Sequence, residues 1–188
     1  MTGRQQVIRS LAITIALALI VGAFFNFNFL TREEPKPLLR LDTPQANPSP
    51  VDEGLDFSAP GLDGREIDLS HYRGHPVIVD FWATWCGPCR AELPHVIATY
   101  KKYHDQGFEI IGISLDQDQA KLTGFTKSMN MTWPQFFDGQ GWQNKLAVKY
   151  GIQSIPATFL LDGEGKIIGK DLRGKELEQA VAKAVANK

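Results

Sequence analysis

The chain has 188 residues, and its 20 Lys and Arg against 21 Asp and Glu leave a net charge of −1. The two signs are interspersed, so there is no basic face of the kind a nucleic-acid partner requires. The length suits one domain of ordinary size plus attachments, with a core large enough to need no disulfide staples.

The N-terminus departs from this mixed composition. Arg4 and Arg9 precede an uncharged stretch from Leu11 to Leu30, and Glu33 and Glu34 follow it. A helix of that length spans about 30 Å, the hydrocarbon thickness of a bilayer. Basic residues stay cytoplasmic, so the pattern predicts a single membrane anchor over 1–31 with the N-terminus inside and the rest outside. Val21–Ala23 also resembles a cleavage site, which leaves a removed signal peptide as the alternative. Phe24, Phe25, Phe27, Phe29 and Leu30 carry the apolar run past that site and favour retention. No cysteine lies near the segment, which excludes a lipid-modified anchor.

Residues 32–54 hold Pro35, Pro37, Pro44, Pro48 and Pro50 and read as an extended tether. The folded domain is placed at 55–188. It opens with a hairpin around Asp63-Gly64 in "LDFSAPGLDGREIDLS". "PVIVDFWA" is a buried strand. The segment 87–103 is a helix with Leu93, Val96, Ile97 and Tyr100 on one face and a kink expected at Pro94. "FEIIGISL" is a second buried strand, followed by a helix in "DQDQAKLTGFTKSMN" capped by Asp116 or Asp118. "GWQNKLAVKYG" is a short helix closed by Gly151. "ATFLLDGEGKIIGK" is a hairpin, and "KELEQAVAKAVANK" a terminal helix with Leu177, Ala180, Val181 and Ala184 inward. Alternating strands and helices imply an α/β layered sheet.

The chain's only cysteines are Cys86 and Cys89, in "DFWATWCGPC". Structural zinc requires four Cys or His ligands, and the nearest additional candidates, His71 and His75, sit in polar turns. Covalent haem attachment requires a histidine directly after the pair, where Arg90 stands. A structural disulfide at this spacing closes almost no loop and so contributes little stability. Redox chemistry fits better. The pair lies where an apolar strand turns into a helix, and the unpaired N–H groups and dipole of the first turn favour a thiolate at Cys86. Pro88 suits a first helical turn, where no N–H is needed.

"DFWATWCGPC" resembles the active site of the thioredoxin superfamily, and "SIPATFLLDGEGKIIG" its second signature. The apolar N-terminal run, the proline tether and the segment around "DQDQAKLTGFTKSMNMTWPQFFD" make the whole similar to membrane-tethered TlpA/ResA-type thiol–disulfide oxidoreductases. The resemblance implies a thioredoxin-like fold, a central mixed sheet flanked by helices with an N-terminal hairpin and a central insertion. It implies Cys86 as the attacking thiol and Cys89 as the resolving one, and no cofactor or metal. Trp82 and Trp85 would flank the site. Trp85, Gly87, Pro88, Ile155 and a cis Pro156 would contact substrate, with the Ile155 backbone offering strand-like hydrogen bonds. An aspartate matching Asp80 handles the proton of the buried cysteine in thioredoxins. There a lysine in the next strand pairs with it; here Gly112 falls at that place. Asp80 is therefore expected to have a raised pKa. Glu92, His95 and His104 read as solvated helix residues.

The resulting expectation is an extracytoplasmic enzyme, a reductant of protein disulfides by mixed-disulfide exchange. The resemblance suggests substrates in cytochrome c or copper-site maturation and a membrane thiol reductase as electron donor. A peroxiredoxin would need Pro at 79 and Thr at 83, where the chain has Val79 and Ala83. A copper carrier or metal-site assembly protein using the same cysteines without turnover is the alternative.

Overall fold

A computed structural model describes residues 54–188. The expected anchor (1–31) and most of the expected tether (32–54) lie outside the described residues. Among the described residues, no helix is long and apolar enough to cross a membrane.

Two short strands, β1 (Ser58–Pro60) and β2 (Glu66–Asp68), form the expected antiparallel hairpin, with Ala59 opposite Ile67. Gly64 at the tip takes φ +81°, a left-handed conformation that favours glycine. Five further strands make a mixed sheet: β3 (Val77–Trp82), β4 (Glu109–Ser114), β5 (Gln135–Phe137), β6 (Ala157–Leu161) and β7 (Ile167–Lys170). Their order is β5-β4-β3-β6-β7. β3 pairs parallel with β4 and antiparallel with β6, and β4 pairs parallel with β5. The central strand is buried along its whole length, as its apolar run, broken only by Asp80, requires. Strand β5 was not anticipated. It has three residues, begins after Pro134 and shows no alternation to mark it. The hairpin covers its edge, with the Leu62 N–H donating to the Gln135 carbonyl at 2.7 Å.

The helices are α1 (Gly87–Tyr103), α2 (Gln119–Ser128), α3 (Lys145–Lys149) and α4 (Gly174–Ala186). Leu93, Val96 and Tyr100 of α1 and Leu177, Val181 and Ala184 of α4 are buried, on the faces the spacing predicts. Asp118 caps α2 by accepting from the Lys121 N–H at 3.0 Å. Asp116, the other proposed cap, is buried and serves another purpose described below.

Opposite faces of β3 meet different partners. Phe81 packs edge-on against Tyr150 and Phe159, with centroids 6.5 and 6.1 Å away. Trp82, on the other face, meets Phe125 of α2 at 5.8 Å. Asp80 shares the Trp82 face by the two-residue period of a strand.

Candidate active site

The C-terminal end of β3 delivers the chain to Cys86, the N-cap of α1. Asp116, two residues past the end of the neighbouring β4, fixes this turn. Its carboxylate accepts from the Thr84 N–H at 3.0 Å, the Thr84 hydroxyl at 2.5 Å and the Ser114 hydroxyl at 2.8 Å. The polar run "DQDQ" disguised it as a helix cap.

Cys86 and Cys89 are joined as a disulfide, with sulfurs 2.03 Å apart. Both are buried in this state, at 5 % and 3 % exposure. What distinguishes them is their surroundings. Cys86 Sγ accepts from the Cys89 N–H at 3.1 Å, the capping bond of the helix start. In the reduced protein the same donor and the positive end of the helix dipole would stabilise a thiolate at Cys86. Gly87 and Pro88 between the cysteines are exposed, as is Trp85 before them. Cys89 faces the core, together with Leu93 one turn later.

Across the site, the Ile155–Pro156 peptide is cis, as expected. The Ile155 carbonyl oxygen lies 3.7 Å from Cys86 Sγ. Arg173, just before α4, braces this loop. Its guanidinium donates to the Pro156 carbonyl at 2.5 Å and to the Thr158 hydroxyl at 2.8 Å. Nothing in the sequence singled Arg173 out.

Trp82 and Trp85 differ in role. Trp82 is only 1 % exposed and donates its indole N–H to Gln135 Oε1 at 3.0 Å, so it is a core residue under the site. Trp85 is 52 % exposed and tilts against Trp142, 45 % exposed, with centroids 6.1 Å apart. Trp142 lies on a 3₁₀ turn, Gly141–Gln143, just after the insertion. Asn144 anchors that turn: wholly buried, it donates to the Ser114 carbonyl at 3.2 Å and accepts from the Leu146 and Ala147 N–H groups.

Asp80 is buried in mid-strand, opposite Gly112 in β4 as expected and Thr158 in β6. Burial pushes its carboxyl up to about 7; Arg173 pulls the other way and Glu92 adds to the rise. Glu92 is therefore not a merely solvated residue. It sits one turn after Cys89, and its carboxylate accepts from the Gly174 N–H at 2.5 Å, tying α1 to the start of α4. Of the helix histidines, His95 is exposed, while His104 lies 3.3 Å from Glu109. Among the described residues no group of three or more His, Cys, Asp or Glu is arranged to hold a metal ion.

A model of the AhpC/TSA family matches residues 50–170. The chain belongs to the AhpC/TSA family. Within it, the chain is similar to the thiol-disulfide oxidoreductase ResA of Bacillus thuringiensis subsp. konkukian, 32% identical over 127 residues, 68% of this chain and 71% of that one. ResA of Geobacillus kaustophilus is 29% identical over 167 residues, 89% of this chain and 87% of that one. Among solved structures, the thioredoxin domain of a thiol-disulfide oxidoreductase from Bacteroides vulgatus superposes with a TM-score of 0.64 at 32% identity, covering 70% of this chain and 94% of that one. This AhpC/TSA member is a ResA/TlpA-like, thioredoxin-fold thiol–disulfide oxidoreductase.

Proposed function

We propose that the enzyme reduces disulfides in extracytoplasmic proteins, as a domain (residues 55–188) tethered to the membrane by its N-terminal segment. The observation that carries the chemistry is the helix-capped sulfur of Cys86, 3.1 Å from the Cys89 N–H and beside the Ile155 carbonyl. In the reduced enzyme the Cys86 thiolate attacks a substrate disulfide. One Cys86–substrate S–S bond forms, and the other substrate sulfur leaves as a thiolate. Cys89 then loses its proton to Asp80, and its thiolate attacks Cys86 Sγ. The mixed disulfide breaks, the second substrate sulfur leaves, and the Cys86–Cys89 disulfide remains. Two electrons pass from the dithiol to the substrate.

Asp80 suits this role because burial holds its carboxyl near 7, so both protonation states are accessible at neutral pH. The Ile155–Pro156 loop offers a backbone edge to an extended peptide. Trp85, Gly87 and Pro88 supply exposed contact surface around the cysteines. The direction of electron flow follows the Gly-Pro dipeptide. Thioredoxin, which this dipeptide resembles, sits at about −270 mV against about −120 mV for the oxidant DsbA. Tethering is supported by the uncharged run from Leu11 to Leu30. The match to the Geobacillus ResA, 167 residues long, also reaches into that run. Apocytochrome c and copper-site proteins are the substrates proposed, with a membrane thiol reductase as donor.

The test is to express the full chain with Cys89→Ala in its host and isolate mixed disulfides from the membrane fraction. Adducts at Cys86 with extracytoplasmic cysteine-bearing proteins are expected. Adducts confined to cytoplasmic proteins would overturn the reading.

A further inference from the structure

Among the described residues, two buried side-chain atoms have no hydrogen-bond partner, Asp80 Oδ1 and Gln135 Nε2. They belong to neighbouring positions. Asp80 is in register with Gly112, and Gly112 with Gln135, so the three form one row across β3, β4 and β5. In-register residues of adjacent strands project to the same face. Asp80 and Gln135 are 6 % and 5 % exposed.

The chemistry of the two atoms is complementary. Trp82 Nε1–H is a donor only, and it points at Gln135 Oε1 from 3.0 Å. That fixes the amide's orientation, so the unpaired atom is the NH₂ and it is a donor. The unpaired Asp80 oxygen is an acceptor when the carboxyl is ionised. Gly112 lies between them with no side chain, and the amide of Gln135 fills the space a side chain there would take. A Cβ at 112 would fall 2.7 Å from Gln135 Nε2 and closer still to Oε1. Strands are about 4.8 Å apart, so the α-carbons of positions 80 and 135 are about 10 Å apart. With the amide head drawn over Gly112 and no direct bond from it to Asp80, a single water, which links polar atoms about 5 Å apart, would bridge the two. A buried polar slot with two committed partners is the kind of place ordered water occupies.

We propose that Gln135 is a positioning residue for the thiol–disulfide reaction, donating through one buried water, between its amide and Asp80, to Asp80 Oδ1. Trp82 sets the amide, the amide sets the water, and the water donates to the carboxylate. The charged groups acting on Asp80 are Arg173 at the start of α4 and Glu92 of α1, and the neutral Thr158 of β6 lies opposite it. The link supplies the neutral donor that the missing charged partner does not. It favours ionised Asp80, the form that accepts the Cys89 proton. The consequence for catalysis rests on the proton-acceptor role proposed above for Asp80; the hydrogen-bonded link itself does not.

The experiment follows the Asp80 carboxyl by carbon-13 NMR across pH 4 to 10 in the full-length protein, in the parent, Gln135→Met and Gly112→Ala. Gln135→Met keeps the volume and removes the donor. Gly112→Ala puts a methyl where the Gln135 amide lies and pushes that flexible end off its place, so the donor no longer reaches the water. Losing a donor to a carboxylate raises its pKa. Both variants should move the midpoint up by about one unit, a tenfold change in the ionised fraction well below the midpoint. The rate at which Cys89 resolves a preformed mixed disulfide should shift its pH profile by the same amount, with the first attack by Cys86 unchanged. A crystal structure of the parent should show one water bonded to both atoms. Unmoved midpoints in folded variants, or a direct Gln135–Asp80 bond, would overturn the link. If the midpoints move but Asp80→Asn resolves the mixed disulfide at the parent rate, the link stands and the proton-acceptor role falls.

Discussion

Replacing Asp80 with asparagine removes the only ionisable group buried within β3. The folded carboxyl titrates at about 7 against 3.8 for the free group, about 3 units higher. Each unit is worth 1.36 kcal/mol, so ionising Asp80 in the folded state costs about 4 kcal/mol. Because the folded pKa lies above the unfolded one, the native state holds the proton more tightly between those values. The associated stability is fully present below about pH 4 and is lost as pH rises through 7. Groups not coupled to Asp80 titrate alike in parent and Asp80→Asn, and Glu92, which is coupled to it, contributes least to the shift, so their difference is dominated by Asp80. Urea denaturation of the oxidised protein at half-unit steps from pH 4 to 8.5 should show the variant gaining on the parent by about 4 kcal/mol across the range, levelling above pH 7.5. Parallel stability curves would refute the reasoning, because they would mean that Asp80 is as well solvated folded as unfolded.

Three further outcomes follow from contacts around the site. Asn144→Ala should cost about 2–3 kcal/mol in urea denaturation, since it leaves the Ser114 carbonyl and two helix N–H groups without their partner. Trp85→Ala and Trp142→Ala should change stability by less than about 1 kcal/mol, because both rings are about half exposed. They should nonetheless lower kcat/KM for a protein disulfide by about tenfold while sparing a small disulfide reagent. Glu92→Gln should lower the Asp80 midpoint, since the negative charge at 92 contributes to its rise; carbon-13 NMR of the Asp80 carboxyl reads this directly.

The features legible in the sequence share a physical trait: each is written in consecutive residues. Val77–Trp82 and Glu109–Ser114 announce themselves as apolar runs, and Leu177, Val181 and Ala184 as a helical stripe. The cysteines, the Gly-Pro between them and Pro156 lie in short motifs. The cysteine pair was visible for that reason, whereas the empty place of the lysine at Gly112 was read from the resemblance, and the parallel register of β3 and β4 puts Gly112 beside Asp80. What stayed hidden is held together only by the fold. Gln135 lies in a three-residue strand with no periodicity, and its meaning comes from standing two strands away from Asp80. Asp116 resembles any polar residue before a helix until β4 brings it under Thr84. Glu92 and Arg173 are ordinary surface types whose partners are about 80 and 17 residues away in the chain respectively.

The central claim is that Cys86, capped by its own helix, is the nucleophile. Its most direct test is competitive alkylation of the fully reduced protein from pH 5 to 9, with the labelled cysteine identified by mass spectrometry. An unperturbed thiol titrates at about 8.5. The helix start predicts that Cys86 is labelled first throughout, with an apparent pKa below that value, and that Cys89 reacts slowly until the pH is well above it. Preferential labelling of Cys89, or a Cys86 pKa at or above about 8.5, would contradict the account.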